Sequence, residues 1–223
     1  MLAAASLALA LATPVGQAGS NVRLPAAGTL RQWKTIGRVA PDPKARAVFM
    51  LHEFRPDFRR QVVLVVAQRV GADGRIWYRL SPPMRPNGTA GWIPAAAAEV
   101  HPVTARIVVE RGRRRISVYR NGKRIVVGAV AVGAPGMETP LGSFYVTARF
   151  VPTDPFLGAY AFETSAYSKL SEWPGGGVVG IHGTSAPWLL GKAVSHGCIR
   201  VSNETASRMW RVVPVGTPVQ IVR

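Results

Sequence analysis

A single cysteine, Cys198, stands in this chain of 223 residues, and His182 precedes it by 16 positions. A thiolate is a far better nucleophile than a thiol, and an imidazole at hand both accepts the proton and stabilises the anion. Ser195-His196-Gly197 leads directly into the cysteine, and Ile199-Arg200-Val201-Ser202-Asn203 follows it. A glycine beside the nucleophile lets the chain turn tightly, bares the sulfur and lets backbone N–H groups converge on a developing oxyanion. One cysteine makes no internal disulfide, so Cys198 is buried and inert, paired between chains, or a working thiol. His182, His196 and Cys198 also offer nitrogen and sulfur ligands of the kind zinc takes. A fourth protein ligand is not well placed, since His52 and His101 lie in or beside the first half, and a catalytic zinc would leave that position to water.

The surrounding elements read as short strands. Val178-Val179-Gly180-Ile181 forms a strand that delivers His182, and Glu204-Thr205-Ala206-Ser207-Arg208-Met209-Trp210 reads as a helix behind Asn203, a residue type suited to cap it. Upstream, Ile107-Val108-Val109-Glu110, Arg115-Ile116-Ser117-Val118-Tyr119 and the run from Arg124 to Val132 are further strands. Asn121-Gly122 between the last two predicts a two-residue hairpin, with φ > 0 at both positions. Gly142-Ser143-Phe144-Tyr145-Val146-Thr147 adds another strand. The stretch 151–177, with Phe156, Tyr160, Phe162, Tyr167 and Trp173, has little periodicity and reads equally as a substrate lid or as a packed loop, Tyr160 being the favoured wall residue in the first case. In the first half, Gln61 to Ala67 is an apolar β-branched strand, Gly71-Ala72-Asp73-Gly74 turns into Ile76-Trp77-Tyr78-Arg79-Leu80, and Pro86-Asn87-Gly88 turns into the segment ending Trp92-Ile93-Pro94. Strands this short, joined by Gly/Asn turns, imply a small β-barrel or sandwich in which Trp77 and Trp92 are core residues.

Two resemblances sharpen this reading. Ile181-His182-Gly183-Thr184 followed by Ser195-His196-Gly197-Cys198-Ile199-Arg200-x-x-Asn203 resembles the signature of the L,D-transpeptidase catalytic domain of bacterial cell-wall enzymes. Thr139-Pro140-Leu141-Gly142-Ser143-Phe144 is similar to that family's Thr-Pro-x-Gly-x-Phe segment, and the stretch from Pro155 to Ser168 to its aromatic cap. The resemblance spans roughly residues 104 to 223. It implies that Cys198 is the acylated nucleophile, His182 its general base and Gly183 the residue whose carbonyl orients the imidazole. Amides of His196, Gly197 and Cys198 would line the oxyanion hole, with Ser195 and His196 shaping the site. Arg200 would hold the site or bind a substrate carboxylate, and Asn203 would buttress the loop. The implied reaction cleaves the bond between the third and fourth residues of a peptidoglycan stem tetrapeptide, leaves a thioester and passes the acyl group to an amine of a neighbouring stem as a 3→3 cross-link. With water as acceptor the same site is an L,D-carboxypeptidase. Carbapenems would acylate Cys198, and neither cofactor nor metal is implied. The Trp77–Leu80 and Asn87–Ile93 segments resemble the last hairpin of bacterial SH3-like domains, which bind or position.

Expectation for the whole is a mainly β chain: residues 1–20 an export signal, 21–102 an SH3-like β-barrel, and 103–223 a β-sandwich-like catalytic domain with a short helix after the cysteine motif. The apolar run Leu2–Ala12 is too short to span a bilayer and has the length of a signal-peptide core, although no Lys or Arg precedes it. This places the protein in the periplasm or cell wall, without a transmembrane anchor. Lys+Arg number 28 against 11 Asp+Glu, a formal charge of +17 that attracts polyanions, anionic wall polymers among them. The arginines show no helical spacing and no interleaved aromatic code, so nucleic acid is not the expected partner. A purely adhesive wall-binding protein is the competing class, and the Cys/His pair argues against it.

Overall fold

The structure is a computed structural model that describes residues 21–172 and 176–223. The expected export signal, 1–20, and Trp173 lie outside the described residues. The architecture is mainly β, with one short α-helix.

The first unit is a seven-stranded sheet made of β1 (Ala26–Leu30), β2 (Lys34–Arg38), β3 (Ala47–His52), β4 (Val62–Val70), β5 (Ile76–Leu80), β6 (Gly91–Pro94) and β7 (Ala98–Pro102), in the order β3-β2-β6-β5-β4-β1-β7. Every pairing in it is antiparallel. Leu30, Val63, Val65, Tyr78, Leu80 and Ile93 form its core. Trp77 and Trp92 are both buried, as their place in the strand pattern predicts, and Trp77 ties its indole N–H to Asp73 in the preceding turn at 2.9 Å.

The second unit contains β8 (Ala105–Glu110), β9 (Arg115–Arg120), β10 (Lys123–Ala129), β11 (Val132–Gly133), β12 (Gly142–Phe150), β13 (Ala161–Tyr167), β14 (Val178–His182), β15 (Ala193–Ser195), β16 (Ile199–Arg200), α1 (Asn203–Trp210) and β17 (Pro218–Val222). Eight of its strands form one sheet, ordered β10-β9-β8-β17-β12-β13-β14-β16, and β11 pairs with β15. The Asn121-Gly122 hairpin is as expected, with φ of 49° and 78°. Residues on one face of the sheet, among them Phe162, Ala166, Val179, Ile181 and Ile199, pack with Met209 of α1 into the main core. The opposite face therefore carries Glu163, Gly180, His182 and Arg200, because side chains alternate along a strand and cross-strand partners share a face. Registers confirm the grouping: Glu163 faces Gly180 and Ala161 faces His182 across an antiparallel pair, while His182 sits beside Arg200 across a parallel one.

Two sequence expectations need correction. The 151–177 stretch is not one irregular wall: Pro155–Leu157 is a 3-10 turn and Ala161–Tyr167 is β13, a strand in the middle of the sheet. Five of its seven residues are buried, on both faces, which erases the alternation that would have revealed it. The helix cap is Ser202, whose hydroxyl accepts from the Thr205 N–H at 3.0 Å; Asn203 is already the first helical residue.

The two units meet on the same sheet face that carries His182. The Tyr145 hydroxyl donates to the Val62 carbonyl inside a small apolar cluster with Ala27 and Leu64. Arg55 and Arg59, from the loop between β3 and β4, bond Glu163 at 2.6 and 3.3 Å. Beyond them, the loop between β5 and β6 grips the end of β13. Asn87 donates to the Tyr167 carbonyl and accepts from the Tyr167 N–H, Arg85 reaches the carbonyls of Ser168, Leu170 and Gly176, and the Arg85 guanidinium lies 4.7 Å from the Tyr167 ring centre.

Candidate active site

Cys198 follows a turn that leaves β15, and its neighbours shape that turn. The Ser195 hydroxyl, on a side chain shut off from solvent, donates to the Cys198 carbonyl at 2.6 Å and accepts from the Gly197 N–H at 3.2 Å. Gly197 has φ of 119°, where a side chain is strained, and a Cβ there would meet Ser168 Cβ at 2.8 Å. Its carbonyl accepts from the buried Thr139 hydroxyl at 2.8 Å, and that same oxygen accepts from the Gly133 N–H at 2.9 Å. Arg111 holds the Thr139 carbonyl in turn. His196 is half-buried in the same turn.

His182 ends β14, and its ring is almost wholly enclosed. Its Nδ1 lies 2.6 Å from the Gly183 carbonyl. A carbonyl only accepts, so Nδ1 carries the proton and Nε2 is left as the basic nitrogen. Gly183 is required by close approach: a Cβ there would sit 2.2 Å from Asn203 Oδ1. That oxygen accepts from the N–H groups of Ala159 at 3.0 Å and Thr184 at 3.1 Å, so Asn203 ties the segment before β13 to the segment after β14.

Gly180 joins the two reactive groups. Its N–H donates to Cys198 Sγ at 3.3 Å, and a methyl group in place of its hydrogen would meet His182 Cδ2 at 3.8 Å and Sγ at 3.9 Å. The thiol and the imidazole thus flank the bare backbone of one residue. Burial pushes the Cys198 thiol above its ordinary value, against the pull of the Gly180 N–H and the Arg200 charge. Burial pushes His182 below its ordinary value; Arg200 adds to that, while the Gly183 and Leu157 carbonyls oppose it. Both shifts favour the neutral thiol and neutral imidazole at rest rather than a standing ion pair.

Arg200 is buried, with its guanidinium 4.6 Å from the centre of the Phe156 ring, and Phe156 lies in turn 6.4 Å from the His182 ring. No carboxylate pairs with Arg200 among the described residues, and its Nε has no hydrogen-bond partner there. A buried guanidinium with a free donor is suited to an anion supplied by a ligand. The Tyr160 ring stacks on Trp210 at 4.7 Å, while its carbonyl accepts from the Gly183 N–H. Among the described residues no three His, Cys, Asp or Glu side chains gather as a metal-binding group, and no helix is long and apolar enough to cross a membrane.

Sequence reasoning assigned no role to Thr139, Gly180 or Phe156. Thr139 was visible only as part of a motif, and its contact with Gly197 spans 58 positions. Gly180 looked like an ordinary strand residue, and Phe156 was one aromatic among several.

Fold and site together place one cysteine and one histidine on either side of Gly180 on a β scaffold. The sequence model of the YkuD family, the L,D-transpeptidase catalytic domain, matches residues 104–221, and the chain belongs to that family. The Bacillus subtilis protein YkuD, which carries the L,D-transpeptidase name, is 36% identical over 118 residues, 52% of this chain and 65% of its own length. L,D-transpeptidase 1 of Mycobacterium tuberculosis is 32% identical over 119 residues, 48% of this chain and 45% of its own. The chain thus spans from under half to about two thirds of these relatives. Among solved structures, L,D-transpeptidase 3 of Mycobacterium tuberculosis matches with a TM-score of 0.49 at 15% identity, covering 89% of this chain and 99% of that one.

Proposed function

We propose that the protein is an exported enzyme of the bacterial cell wall that acts on peptidoglycan stem tetrapeptides. Cys198 attacks the carbonyl of the third residue while His182 Nε2 takes the thiol proton; the terminal D-alanine leaves with that proton, and a thioester remains. The side-chain amine of a neighbouring stem then attacks the thioester carbonyl, a C–N bond replaces the C–S bond, and the thiol is restored. Water in place of the amine makes the reaction a carboxypeptidase one.

Gly183 orients the base. The amides of His196, Gly197 and Cys198 line the oxyanion hole, in a turn held by the Ser195 hydroxyl on the Gly197 N–H. Arg200 receives a substrate carboxylate, Asn203 and Ser195 hold the two loops in register, and Tyr160, its ring stacked on Trp210, supports the site through its carbonyl on the Gly183 N–H. Carbapenems acylate the same sulfur. Residues 103–223 form the catalytic domain and 21–102 an SH3-like domain that binds or positions the wall. The observation that carries the reading is Cys198 and His182 on either side of Gly180, with the Gly183 carbonyl on Nδ1, inside the family's domain.

Intact-mass spectrometry of the protein with disaccharide-tetrapeptide, beside Cys198→Ala, tests it. The expected result is a cysteine-dependent adduct, loss of D-alanine and a cross-linked dimer; loss of D-alanine without dimer assigns the hydrolytic reaction. A folded protein that gives neither adduct nor product overturns the proposal in favour of wall adhesion.

A further inference from the structure

The apolar cluster that joins the two units does not fill the space between their sheets. A cavity of about 520 Å³ remains beside it, lined by Leu64, Val66 and Arg79 of the first unit and by Arg106, Tyr145 and Pro218 of the second. Its volume falls within the roughly 300–1,000 Å³ of small-ligand pockets. Leu64 and Tyr145 belong to the cluster and are buried, as are Phe144 and Val219 beside them, whereas Arg79 and Arg106 are exposed. The cavity thus has an apolar closed end and a cationic rim. Among the described residues no Asp or Glu lines it and neither arginine is in an ion pair; Arg106 lies over the Tyr119 ring, 4.5 Å from its centre.

Two guanidiniums without carboxylate partners, at the mouth of an apolar recess, suit a guest with an anionic head and an apolar body. A peptide is a poor occupant. The strands that carry Leu64 and Tyr145, β4 and β12, are paired along both edges, and the Tyr145 hydroxyl is already given to the Val62 carbonyl. Peptide amides would therefore be buried there without partners, a cost that a hydrocarbon chain does not carry. We propose that this cavity binds a free fatty acid, its chain between the two sheets against Leu64, Val66 and Tyr145 and its carboxylate on Arg79 and Arg106. None of Cys198, His182 and Arg200 lines the cavity, so the inference is independent of the chemistry assigned to them. Because both units line it, the ligand binds the assembled pair and stabilises it by mass action.

Titration of the full chain with decanoate, kept below the concentration at which it forms micelles, tests this, with decanol and decyltrimethylammonium as the neutral and cationic counterparts. Calorimetric binding and thermal unfolding are read together. Decanoate should bind one to one and raise the melting temperature, decanol should bind about tenfold more weakly, and the ammonium should not bind. Changing Arg79→Gln and Arg106→Gln together brings decanoate down to the affinity of decanol and leaves decanol unchanged. Val66→Trp, made at a half-exposed position, fills the recess and abolishes the binding of both. Equal affinity for decanoate and decanol in the wild type, decanoate binding that survives the loss of both arginines, or undiminished binding in Val66→Trp overturns the proposal. A melting temperature that falls with decanoate marks detergent action and overturns it too, as does a short apolar peptide with a free carboxyl terminus that binds more tightly than decanoate. Acylation of Cys198 by tetrapeptide is a separate measurement, so either reading can fail without the other.

Discussion

The two sheets differ in what they bury. In the first unit the enclosed polar side chains are Thr35 and Gln61, whereas the second encloses Thr139, Thr147, Thr164, Ser165, Ser168, His182, Ser195 and Arg200, among others. A buried polar group is costly unless its partners are in place. In the second unit the hydroxyls of Thr139, Thr164 and Ser195 each hold a backbone carbonyl, and two of those carbonyls belong to Gly197 and Cys198. Thr35 Oγ1 has no partner among the described residues, and neither has Ser117 Oγ of the second unit, which lies in β9. The first sheet rests mainly on apolar alternation, with Gln61 holding the Val62 carbonyl at 2.9 Å; the second uses hydrogen bonds to fix a few backbone positions around one sulfur.

The sharpest way to break that contrast is at His182. His182→Gln removes the proposed base and keeps a side chain of similar reach, and acylation should slow by about 10²- to 10⁴-fold in single-turnover mass measurements. A loss below tenfold would detach the imidazole from the chemistry. Thr139→Val comes next. It preserves shape and leaves the Gly197 carbonyl and Gly133 N–H without their partner, so chemical denaturation should report about 1–3 kcal/mol of lost stability and kcat should fall with it. The matching change in the first unit, Thr35→Val, removes a hydroxyl that bonds nothing; stability should stay level or rise by about 1 kcal/mol, and activity should not change. If the two threonine variants behave alike, the contrast between the units is wrong.

The smallest effect is in the pH profile. Because burial holds His182 below its ordinary value of 6.5, the neutral base persists into mildly acidic solution. With acylation rate-limiting, activity should fall as pH drops through a value below 6.5 and should not fall between there and pH 8. An acid limb at or above 6.5 would assign the titration to another group.

How much of this was legible in the sequence depends on distance along the chain. The Asn121-Gly122 hairpin, the strand that delivers His182 and the helix after Cys198 are local, and turn chemistry and periodicity exposed them. Cys198 and His182 stand out in the sequence because their residue types are rare and their flanks are specific. The clamps were not: Thr139 on Gly197, Asn203 on Ala159 and Asn87 on Tyr167 join residues 44 to 80 positions apart, and no local pattern marks a threonine or asparagine as holding a distant backbone group. β13 was hidden for a different reason: Glu163, Thr164 and Ser165 stand together in its middle on both faces, so neither an apolar run nor an alternation marks the strand. Ser202 outcompeted Asn203 as the cap because the Asn203 amide is engaged with two backbone N–H groups elsewhere.

The Tyr145 hydroxyl, buried against Val62, has a consequence for how the molecule comes apart. Its phenol lies wholly inside the junction, where burial lifts its ionisation above the ordinary value of 10.0. A raised acid of this kind stabilises the fold fully below its unfolded value, and the contribution drains away as pH climbs past 10. One tyrosine is thus a shared rivet between two cores: warming at neutral pH should melt both in a single cooperative step, and alkali should loosen the seam. Separating the halves would strip Tyr145, Val62 and Leu64 of their cover, so the chain behaves as one folding unit and not as beads on a string.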